Sequence, residues 1–454
     1  MNKVSVGIIT IHRIFNYGSI FQAYALQHVC NVLNMRAEII DYIFPNSWQV
    51  LRAKAYEQDW KSKDGMSFIC SLKHKFLKFL FCFALYRQHR EMRKCMSRFL
   101  VLSSGRYASP GEIKQAPPKY DVYMSGSDQI WNPRYCKCDP AFLLHFAPEE
   151  AVKVAYGSSF GVNSIEGGEE KELYRKLLQR FSHISVREQS GVDLVRRLSD
   201  RNASLVLDPT LLLDEKDWDS IATSRRLVNE KYILCYYLNY SFNAFPYVNK
   251  LADYIRKYTG WKIVYMARPP HRVFNPGTIF KVGASPAEFL ALIRDAELVL
   301  TTSFHGTAFA VNYNRPLYSV VSDRNASDSR QVNLLNSLGL SHRILSIHEE
   351  FPEMSDLLDC PYIESNKRLE ELRQISINYL SEGMEKIELC SRDVCTGCGS
   401  CASVCPRRCI ILQATGEGFH FPIIDADSCI NCSLCIKSCH QLNSKVKKQL
   451  PIDV

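Results

Sequence analysis

Short runs of apolar residues recur along the first 390 residues and predict strands. Continuous apolar runs of this kind are typical of parallel strands that are buried on both faces. Amphipathic stretches such as Glu169–Arg180 and Ala244–Tyr258 lie between them and predict helices. The predicted strands are Val4–Thr10, Ala37–Tyr42, Asp121–Ser125, Val152–Tyr156, His183–Val186, Ser204–Leu207, Tyr232–Leu238, Lys262–Ala267, Leu298–Thr302 and Leu317–Val321.

The alternation of strands and helices predicts an α/β fold with two Rossmann-like halves that face a cleft. The strand pattern is interrupted near Asp214–Glu230, which we take as the junction between the halves. A polar helix from Ser365 to Lys386 then leads to a cysteine-rich segment. We therefore predict a first half at residues 1–215, a second half with its closing helix at 216–388, and a small domain at 389–445.

The composition agrees with a soluble globular protein. The chain has 454 residues, of which 46% are hydrophobic and 23% are charged. No apolar run approaches the roughly 20 residues of a membrane-spanning helix. The N-terminal run Val4–Ile11 is too short for the core of a signal peptide. We expect a cytoplasmic protein.

Positive charge is concentrated in one segment. The net charge is +9, and residues 50–119 contain 15 basic but only 5 acidic side chains. No nucleic-acid-reading motif accompanies them, so nucleic acid is not an expected partner. Within the segment, Lys73–Arg98 surrounds the apolar run Phe79–Leu85. Two interpretations stay open: a helix packed on its domain, or a peripheral contact with the anionic inner face of the membrane.

Ten of the 18 cysteines fall from Cys390 onward, and eight of them form two C-x₂-C-x₂-C-x₃-C runs. This is the run of bacterial ferredoxins with two 4Fe–4S clusters, in which the fourth cysteine ligates the other cluster. Zinc is the alternative, but it leaves the third cysteine of each run unexplained. We predict two 4Fe–4S clusters in a ferredoxin-like α+β domain. One is held by Cys395, Cys398, Cys401 and Cys439, the other by Cys429, Cys432, Cys435 and Cys405.

Polar residues follow several predicted strands, and ligands in parallel α/β folds bind at the carboxyl ends of strands. His305 lies beside glycine and hydroxyl residues and could transfer a proton near neutral pH, although a structural role is the plainer interpretation. Asp128 is a candidate for the same region or a simple helix cap, and Arg187 is a candidate or a surface ion pair. Neither the dinucleotide fingerprint nor the P-loop motif occurs.

Taken in order, the polar stretches resemble the polysaccharide pyruvyl transferase family over roughly residues 1–380. The resemblance implies a fold like that of the two-Rossmann glycosyltransferases, with phosphoenolpyruvate as donor and a sugar diol as acceptor, including a lipid-linked oligosaccharide. The stretches that carry it begin at Tyr17-Gly18, Gly126-Ser127-Asp128-Gln129, Ser158-Ser159, Val186-Arg187-Glu188, Asp208-Pro209-Thr210 and Ser303-Phe304-His305.

The resemblance also implies roles for individual residues. His305 is the proposed acid, Asp128 or Asp208 the base, and Arg187 a ligand of the anionic donor. Family members often carry Arg-Leu-His at the position of Ser303-Phe304-His305, so Arg324 or Arg330 is expected to replace the missing arginine. The predicted substrate-binding residues are Asn16, Tyr17, Gly18, Gln22, Ser127, Gln129, Ser303, Arg324 and Arg330.

Two other functions remain open from the sequence. Because 4Fe–4S clusters usually transfer electrons, the chain could be an oxidoreductase that uses a flavin or deazaflavin and a redox partner. Alternatively, Ser303 in place of the family arginine could mark an inactive scaffold of a capsule-assembly complex. Clusters in a pyruvyl transferase would be regulatory, structural or electron-transferring.

Overall fold

Two all-parallel sheets form the larger part of the protein. The computed structural model describes residues 3–44, 68–149, 151–238, 242–266, 277–357, 360, 362–384, 389–390, 394–414, 418–425, 429 and 434–442, with the backbone alone for 68–82 and 383–384. Strands such as Ser5–Ile9 and Tyr232–Tyr236 are buried at every position, as their unbroken apolar sequences predict.

The first sheet has seven strands in the order β3-β2-β1-β4-β5-β6-β7. The order reverses beside β1, which is the arrangement of a Rossmann fold. The strands are β1 Ser5–Ile9, β2 Arg36–Tyr42, β3 Leu102–Tyr107, β4 Val122–Ser125, β5 Val152–Ser158, β6 His183–Val186 and β7 Ser204–Leu205.

The second sheet has six strands in the order β10-β9-β8-β11-β12-β13, which reverses beside β8 in the same way. The predicted fold of two Rossmann-like halves is therefore confirmed. The strands are β8 Tyr232–Tyr236, β9 Lys262–Tyr265, β10 Thr278–Phe280, β11 Leu298–Thr301, β12 Leu317–Val321 and β13 Ile344–Ser346.

Helices connect the strands and carry sequence-encoded caps. The Asn16 side chain accepts a hydrogen bond from Gly18 N at the start of α1, and Ser285 with Glu288 forms a capping box at the start of α9. The helices are α1 Tyr17–Val32, α2 Phe68–Phe99, α3 Pro110–Gln115, α4 Pro133–Cys136, α5 Gly168–Leu178, α6 Gln189–Ser199, α7 Glu215–Asp219, α8 Tyr247–Thr259, α9 Pro286–Arg294, α10 Phe304–Asn312, α11 Arg330–Ser337, α12 Tyr362–Met384, α13 Ser400–Ser403 and α14 Leu434–Ser438.

Aromatic side chains join the two halves. Tyr17 at the start of α1 stacks on Phe289 of α9 with ring centroids 4.4 Å apart, and its hydroxyl donates to Ala284 O at 2.5 Å. The closing helix α12 also contacts both halves. Its Tyr379 hydroxyl donates to Ala155 O of β5, and its Tyr362 hydroxyl donates to Arg315 O. The halves therefore share one hydrophobic core.

The C-terminal region contains a third, two-stranded sheet and two short helices. Its strands β14 Ile410–Ala414 and β15 His420–Ile424 pair antiparallel, and the short helices α13 and α14 lie against each other. This agrees with the small α+β domain predicted from the cysteines. The exact boundaries at residues 215, 388 and 445 stay predictions.

The sequence prediction missed three strands, β3, β10 and β13. All three are edge strands, and none has a long apolar run: β3 contains Ser103, Ser104 and Gly105, and β10 and β13 have three residues each. The basic helix is present as α2, and Met92 and Met96 near its end are buried in the shared core. Most of the run Phe79–Leu85 lies outside the described side chains. Among the described helices, none has the length and hydrophobicity needed to cross a membrane.

Candidate active site

The carboxyl ends of strands from both sheets meet at a group of charged side chains. Asp128 follows β4, Arg187 follows β6 and Asp208 follows β7, all from the first half. His305 and Arg330 come from the second half, where they begin α10 and α11. Because parallel strands expose their loops at one edge, this is where such folds bind ligands.

Two arginines and two aspartates form the centre of the group. Arg187 Nη1 is paired with Asp208 Oδ2, and both side chains are essentially inaccessible. Arg187 Nη2 and Arg330 Nη1 each lie 3.4 Å from Asp128 Oδ1. These two contacts are long for charge-assisted hydrogen bonds, whereas the pair with Asp208 is close. The contacts of the guanidinium groups with Asp128 are therefore weaker than the contact of Arg187 with Asp208.

The ring of Phe304 supports both guanidinium groups. Arg187 Cζ lies 5.0 Å and Arg330 Cζ lies 5.2 Å from the ring centroid, within cation–π range. Arg187 belongs to the first half of the molecule and Arg330 to the second. The Phe304 ring stabilises these two like charges, which would otherwise repel each other. The arrangement presents two guanidinium groups to a single anion.

Asp128 is fixed by its backbone. Its φ of 77° lies in the left-handed region, which non-glycine residues rarely adopt. Its carbonyl accepts from Ser159 N and Ile130 N, and Ser19 Oγ donates to its Oδ2 at 3.0 Å. Unfavourable backbone geometry that the surrounding contacts enforce is common at functional sites.

His305 lies beside the carboxylates with an available ring nitrogen. Its Nε2 is 3.8 Å from Asp208 Oδ2 and has no hydrogen-bond partner among the described residues. The other face of the ring lies against Gly18, where a Cβ atom would be 2.0 Å from His305 Nδ1. Only glycine fits at this position.

The surroundings shift the pKa values of these groups. Burial raises the pKa of Asp128, but the charges of Arg187, His305 and Arg330 outweigh it and bring the pKa to about 2. Burial likewise opposes the effect of Arg187 on Asp208, yet the pKa of Asp208 is still lowered. Burial lowers the pKa of His305 below 6.5, and Asp208 and Asp128 only partly compensate. At neutral pH both carboxyls are therefore ionised and the imidazole is neutral.

The other predicted substrate-binding residues lie in three kinds of place. Gly18 and Ser127 border the charged group: Gly18 lies against the His305 ring and Ser127 Oγ lies 3.5 Å from Asp208 Oδ2, whereas Asn16 caps α1 by accepting from Gly18 N. Tyr17, Gln22 and Ser303 are buried and bonded within the protein, with Ser303 capping α10. Gln129 is half-buried, and its backbone N donates to Asp128 Oδ1. Their roles toward a substrate stay predictions.

The two arginines proposed to replace the missing family arginine have different positions. Arg330 joins the charged group. Arg324 does not: it pairs with Glu349 at 3.1 Å on the exposed side of the loop. The side chain of Arg330 points into the cleft because it is the first residue of α11, whereas Arg324 lies in the preceding turn.

Glu188 was not singled out from the sequence, yet it is fully buried next to Arg187. Its Oε1 accepts from Phe160 N at 2.8 Å and Gly161 N at 3.1 Å, and burial raises its pKa. Its role as an anchor for the 160–161 loop depends on a tertiary contact. The local signals are its position two residues after β6 and its place in the stretch Val186-Arg187-Glu188.

The cysteines predicted for one cluster surround a single cavity. Cys395, Cys398, Cys401 and Cys439 all line it, as the crossed ligand pattern requires. The thiols are spread along the cavity wall: in the described ranges, no three Cys, His, Asp or Glu side chains are close enough to hold one metal ion. Gly397, with φ of 66°, gives the ligand loop its tight turn. A donor set of four thiols around a cavity fits an iron–sulfur cluster.

Three ligands predicted for the other cluster lie in one small core. Cys405, Cys429 and Cys435 pack there with Cys409, whose Sγ is 3.3 Å from Cys405 Sγ. Cys432 lies outside the described residues. The three described ligands share one small hydrophobic core, and the second cluster stays a prediction.

Sequence comparisons identify the larger part of the chain. A model of the family described as polysaccharide pyruvyl transferase matches residues 16–324. The chain belongs to the polysaccharide pyruvyl transferase family. The match covers Asp128, Arg187, Asp208 and His305 and ends just before Arg330. A model described as a 4Fe-4S dicluster domain matches residues 394–442, so this pyruvyl transferase family member carries an iron–sulfur domain. No curated protein sequence matches the chain.

Solved structures resemble this pyruvyl transferase family member only distantly. S. aureus MnaA with UDP has 9% identity and a TM-score of 0.46, covering 83% of this chain and 91% of its own. The UDP-GlcNAc 2-epimerase of Methanocaldococcus jannaschii has 12% identity and a TM-score of 0.41, covering 83% and 99%. Arabidopsis thaliana UGT89C1, complexed with UDP-L-rhamnose, has 11% identity and a TM-score of 0.42, covering 83% and 95%.

Proposed function

We propose that the protein transfers pyruvate from phosphoenolpyruvate to two hydroxyls of a cell-surface polysaccharide precursor, forming a ketal. The observation that carries the proposal is the pair Arg187 and Arg330, which face one anion position beside the unpaired Nε2 of His305. Membership of the pyruvyl transferase family supports the reaction class. The donor is anionic, and paired guanidinium groups bind carboxylate and phosphate oxygens well.

The charge balance of the site suggests how the donor binds. The two arginines and two aspartates cancel each other, so the donor must take the place of one carboxylate. Asp128 is the one with the long 3.4 Å contacts, whereas Asp208 stays paired with Arg187. A donor that displaces Asp128 from the guanidinium groups also frees it to accept the proton of an attacking sugar hydroxyl.

His305 is the proposed acid. The methylene carbon of phosphoenolpyruvate gains the proton of His305 while the sugar oxygen bonds to the neighbouring carbon and gives its proton to Asp128. The bond between that carbon and the phosphate oxygen then breaks, and the second hydroxyl closes the ketal ring as its proton passes to the neutral His305. His305 is neutral in the free protein because burial lowers its pKa. The negative charges of the bound donor raise that pKa, so His305 takes up its proton together with the donor.

The iron–sulfur domain favours a second candidate function. Thiolate-bound clusters carry electrons, so an oxidoreductase acting on a flavin or deazaflavin carrier is the alternative. When bound, the clusters would supply electron transfer, and ketal formation has no redox step that needs it. In the transferase, we propose that two clusters act in regulation, in bracing the fold or toward a redox partner.

One experiment separates the two candidates. Anaerobically purified protein is incubated with phosphoenolpyruvate and a panel of sugar and lipid-linked oligosaccharide acceptors, and phosphate release is measured together with the visible spectrum. Acceptor-dependent phosphate release and a ketal in the product support the transferase. A flavin-type spectrum with turnover of the carrier, and no phosphate release with any acceptor, would reject it in favour of the oxidoreductase.

A further inference from the structure

A second cationic site lies on the same edge of the first sheet. At its centre is the carboxylate of Asp41, near the end of β2, with a side chain only 5% exposed. Arg13 donates to both oxygens, through Nε and through Nη2 at 2.6 Å, and Arg106 Nε donates to Oδ2 at 2.9 Å. His12 Nε2 lies 3.4 Å from Oδ1. One buried carboxylate thus accepts hydrogen bonds from two guanidinium groups and lies beside an imidazole.

The group has positive charge left over. Two guanidinium groups share one carboxylate, and no other carboxylate in the described part of the chain pairs with Arg13 or Arg106. A guanidinium has five N–H donors, so Nη1 of Arg13 and both Nη atoms of Arg106 remain after the bonds to Asp41. The side chains are 29% and 63% exposed, which leaves them accessible to a ligand.

Asp41 itself is not the ligand-binding group. In dinucleotide-binding Rossmann folds, an acidic residue at the end of the second strand binds the ribose hydroxyls. Asp41 occupies that place, but both of its oxygens already accept hydrogen bonds from cations. The binding capacity of the site therefore lies in N–H donors, which select an anion.

The distance between the Asp41 group and the charged group in the cleft follows from the strand order of the first sheet. Arg106 is at the end of β3, Arg13 follows β1 and Asp128 follows β4, and the strand order is β3-β2-β1-β4. Adjacent strands are about 4.8 Å apart, so β3 and β4 are separated by about 14 Å. The loops that follow β1 and β4 are hydrogen-bonded to each other, since Thr10 Oγ1 donates to Ser127 O at 2.8 Å.

We propose that Arg13 and Arg106 bind the diphosphate of the acceptor, a sugar joined through a diphosphate to either an isoprenoid lipid or a nucleoside. This inference rests on the proposed pyruvyl transfer. The acceptor's sugar hydroxyls reach Asp128 while its diphosphate bridges the two guanidinium groups, which suit phosphate oxygens. Phosphoenolpyruvate is too short to occupy both sites, so the second site serves the other substrate.

Direct binding is the first test, and it does not depend on activity. Inorganic pyrophosphate is titrated calorimetrically into the full-length protein with excess phosphoenolpyruvate present to fill the donor site. We expect Arg106→Gln to weaken pyrophosphate binding about tenfold or more, as loss of one charged contact does. Arg175→Gln is the matched control, because Arg175 is similarly exposed and pairs with Glu172 on α5. Equal affinities in the two variants would overturn the site.

Acceptor kinetics are the second test, with the sugar presented on an isoprenyl diphosphate, on a nucleoside diphosphate or as a neutral alkyl glycoside. Arg106→Gln should raise KM about tenfold for the diphosphate-linked acceptors, with kcat and the neutral glycoside unaffected. The carrier with the lower wild-type KM identifies the natural source. If Arg106→Gln leaves the transfer kinetics unchanged for every carrier, the diphosphate site is refuted but the proposed function is not. Lost pyrophosphate binding without transfer to any acceptor would retain the anion site and refute the proposed function.

Discussion

The charged group in the cleft and the cysteines of the iron–sulfur domain differ in how far apart their members lie in the sequence. In the domain, the predicted ligands come from two runs of eleven residues each, and their spacing alone names them. In the cleft, the charged group comes from three loops and the starts of two helices between residues 128 and 330. Cysteines around a cluster need only a short loop, whereas an ion-pair group needs two sheets to bring its members together.

The difference also appears in burial. Arg187 and Asp208 are enclosed and compensate each other's charge. Of the described cysteine ligands, Cys398 is exposed and most of the others are half-buried. Substitutions in the cleft therefore risk leaving a buried charge unpaired, while substitutions in the domain mainly remove a ligand. The following changes test whether the two regions are as independent as this comparison implies.

The largest effect is expected from His305→Ala. Loss of the general acid should lower kcat about a hundredfold or more, with an unchanged circular dichroism spectrum and unchanged iron content. The measurement is acceptor-dependent phosphate release from phosphoenolpyruvate. His183→Ala, at the start of β6 and away from the charged group, is the control and should retain activity. Normal turnover by His305→Ala would place the acid elsewhere.

Arg330→Gln should act mainly on donor binding. Because one of the two guanidinium groups that face the donor is removed, we expect KM for phosphoenolpyruvate to rise about 10- to 100-fold, with a smaller change in kcat. Arg324→Gln is a close control, since Arg324 lies six residues earlier but pairs with Glu349 outside the group. Similar KM values for the two variants would show that Arg330 does not contact the donor.

The pH dependence should follow the protonation of His305. An acid must carry its proton, and burial places the pKa of free His305 below 6.5, so kcat/KM should fall about tenfold per pH unit above that pKa. The pKa of Asp128, about 2, keeps the base ionised throughout this range. Because the bound donor raises the pKa of His305, the fall in kcat should occur at higher pH than the fall in kcat/KM. A profile that rises between pH 6 and 8 would contradict an acid role.

The smallest effect is expected from the cluster domain. Cys398→Ser should lose about half of the iron, because it removes a predicted ligand of one of the two predicted clusters. Iron and zinc are measured in anaerobically purified protein, and Cys138→Ser in the first half serves as the control that keeps all of its iron. Stoichiometric zinc in the wild type would refute the cluster assignment. Ketal formation is redox-neutral, so transfer activity should change less than threefold in this variant.

The sequence predicted the buried central strands and the family resemblance, because each depends on local runs of residues. It did not predict β3 or β13, whose polar or short sequences become strands only when they pair with a neighbour. It also could not choose between Arg324 and Arg330, because both follow β12 and only the start of α11 decides which one enters the cleft. The pairing of Arg187 with Asp208 is a contact between loops with no sequence pattern.

Gly18 lies at a point where the two halves of the molecule are in close contact. It begins a helix of the first half, and His305 of the second half lies where its Cβ would be. A single methyl group at residue 18 would act as a spacer between the halves, pushing away the imidazole or the helix that carries it. At this contact, the space between Gly18 and the imidazole of His305 is too small for one methyl group. A change in the distance between the halves at this point would therefore move the imidazole of His305, the residue proposed to donate the proton.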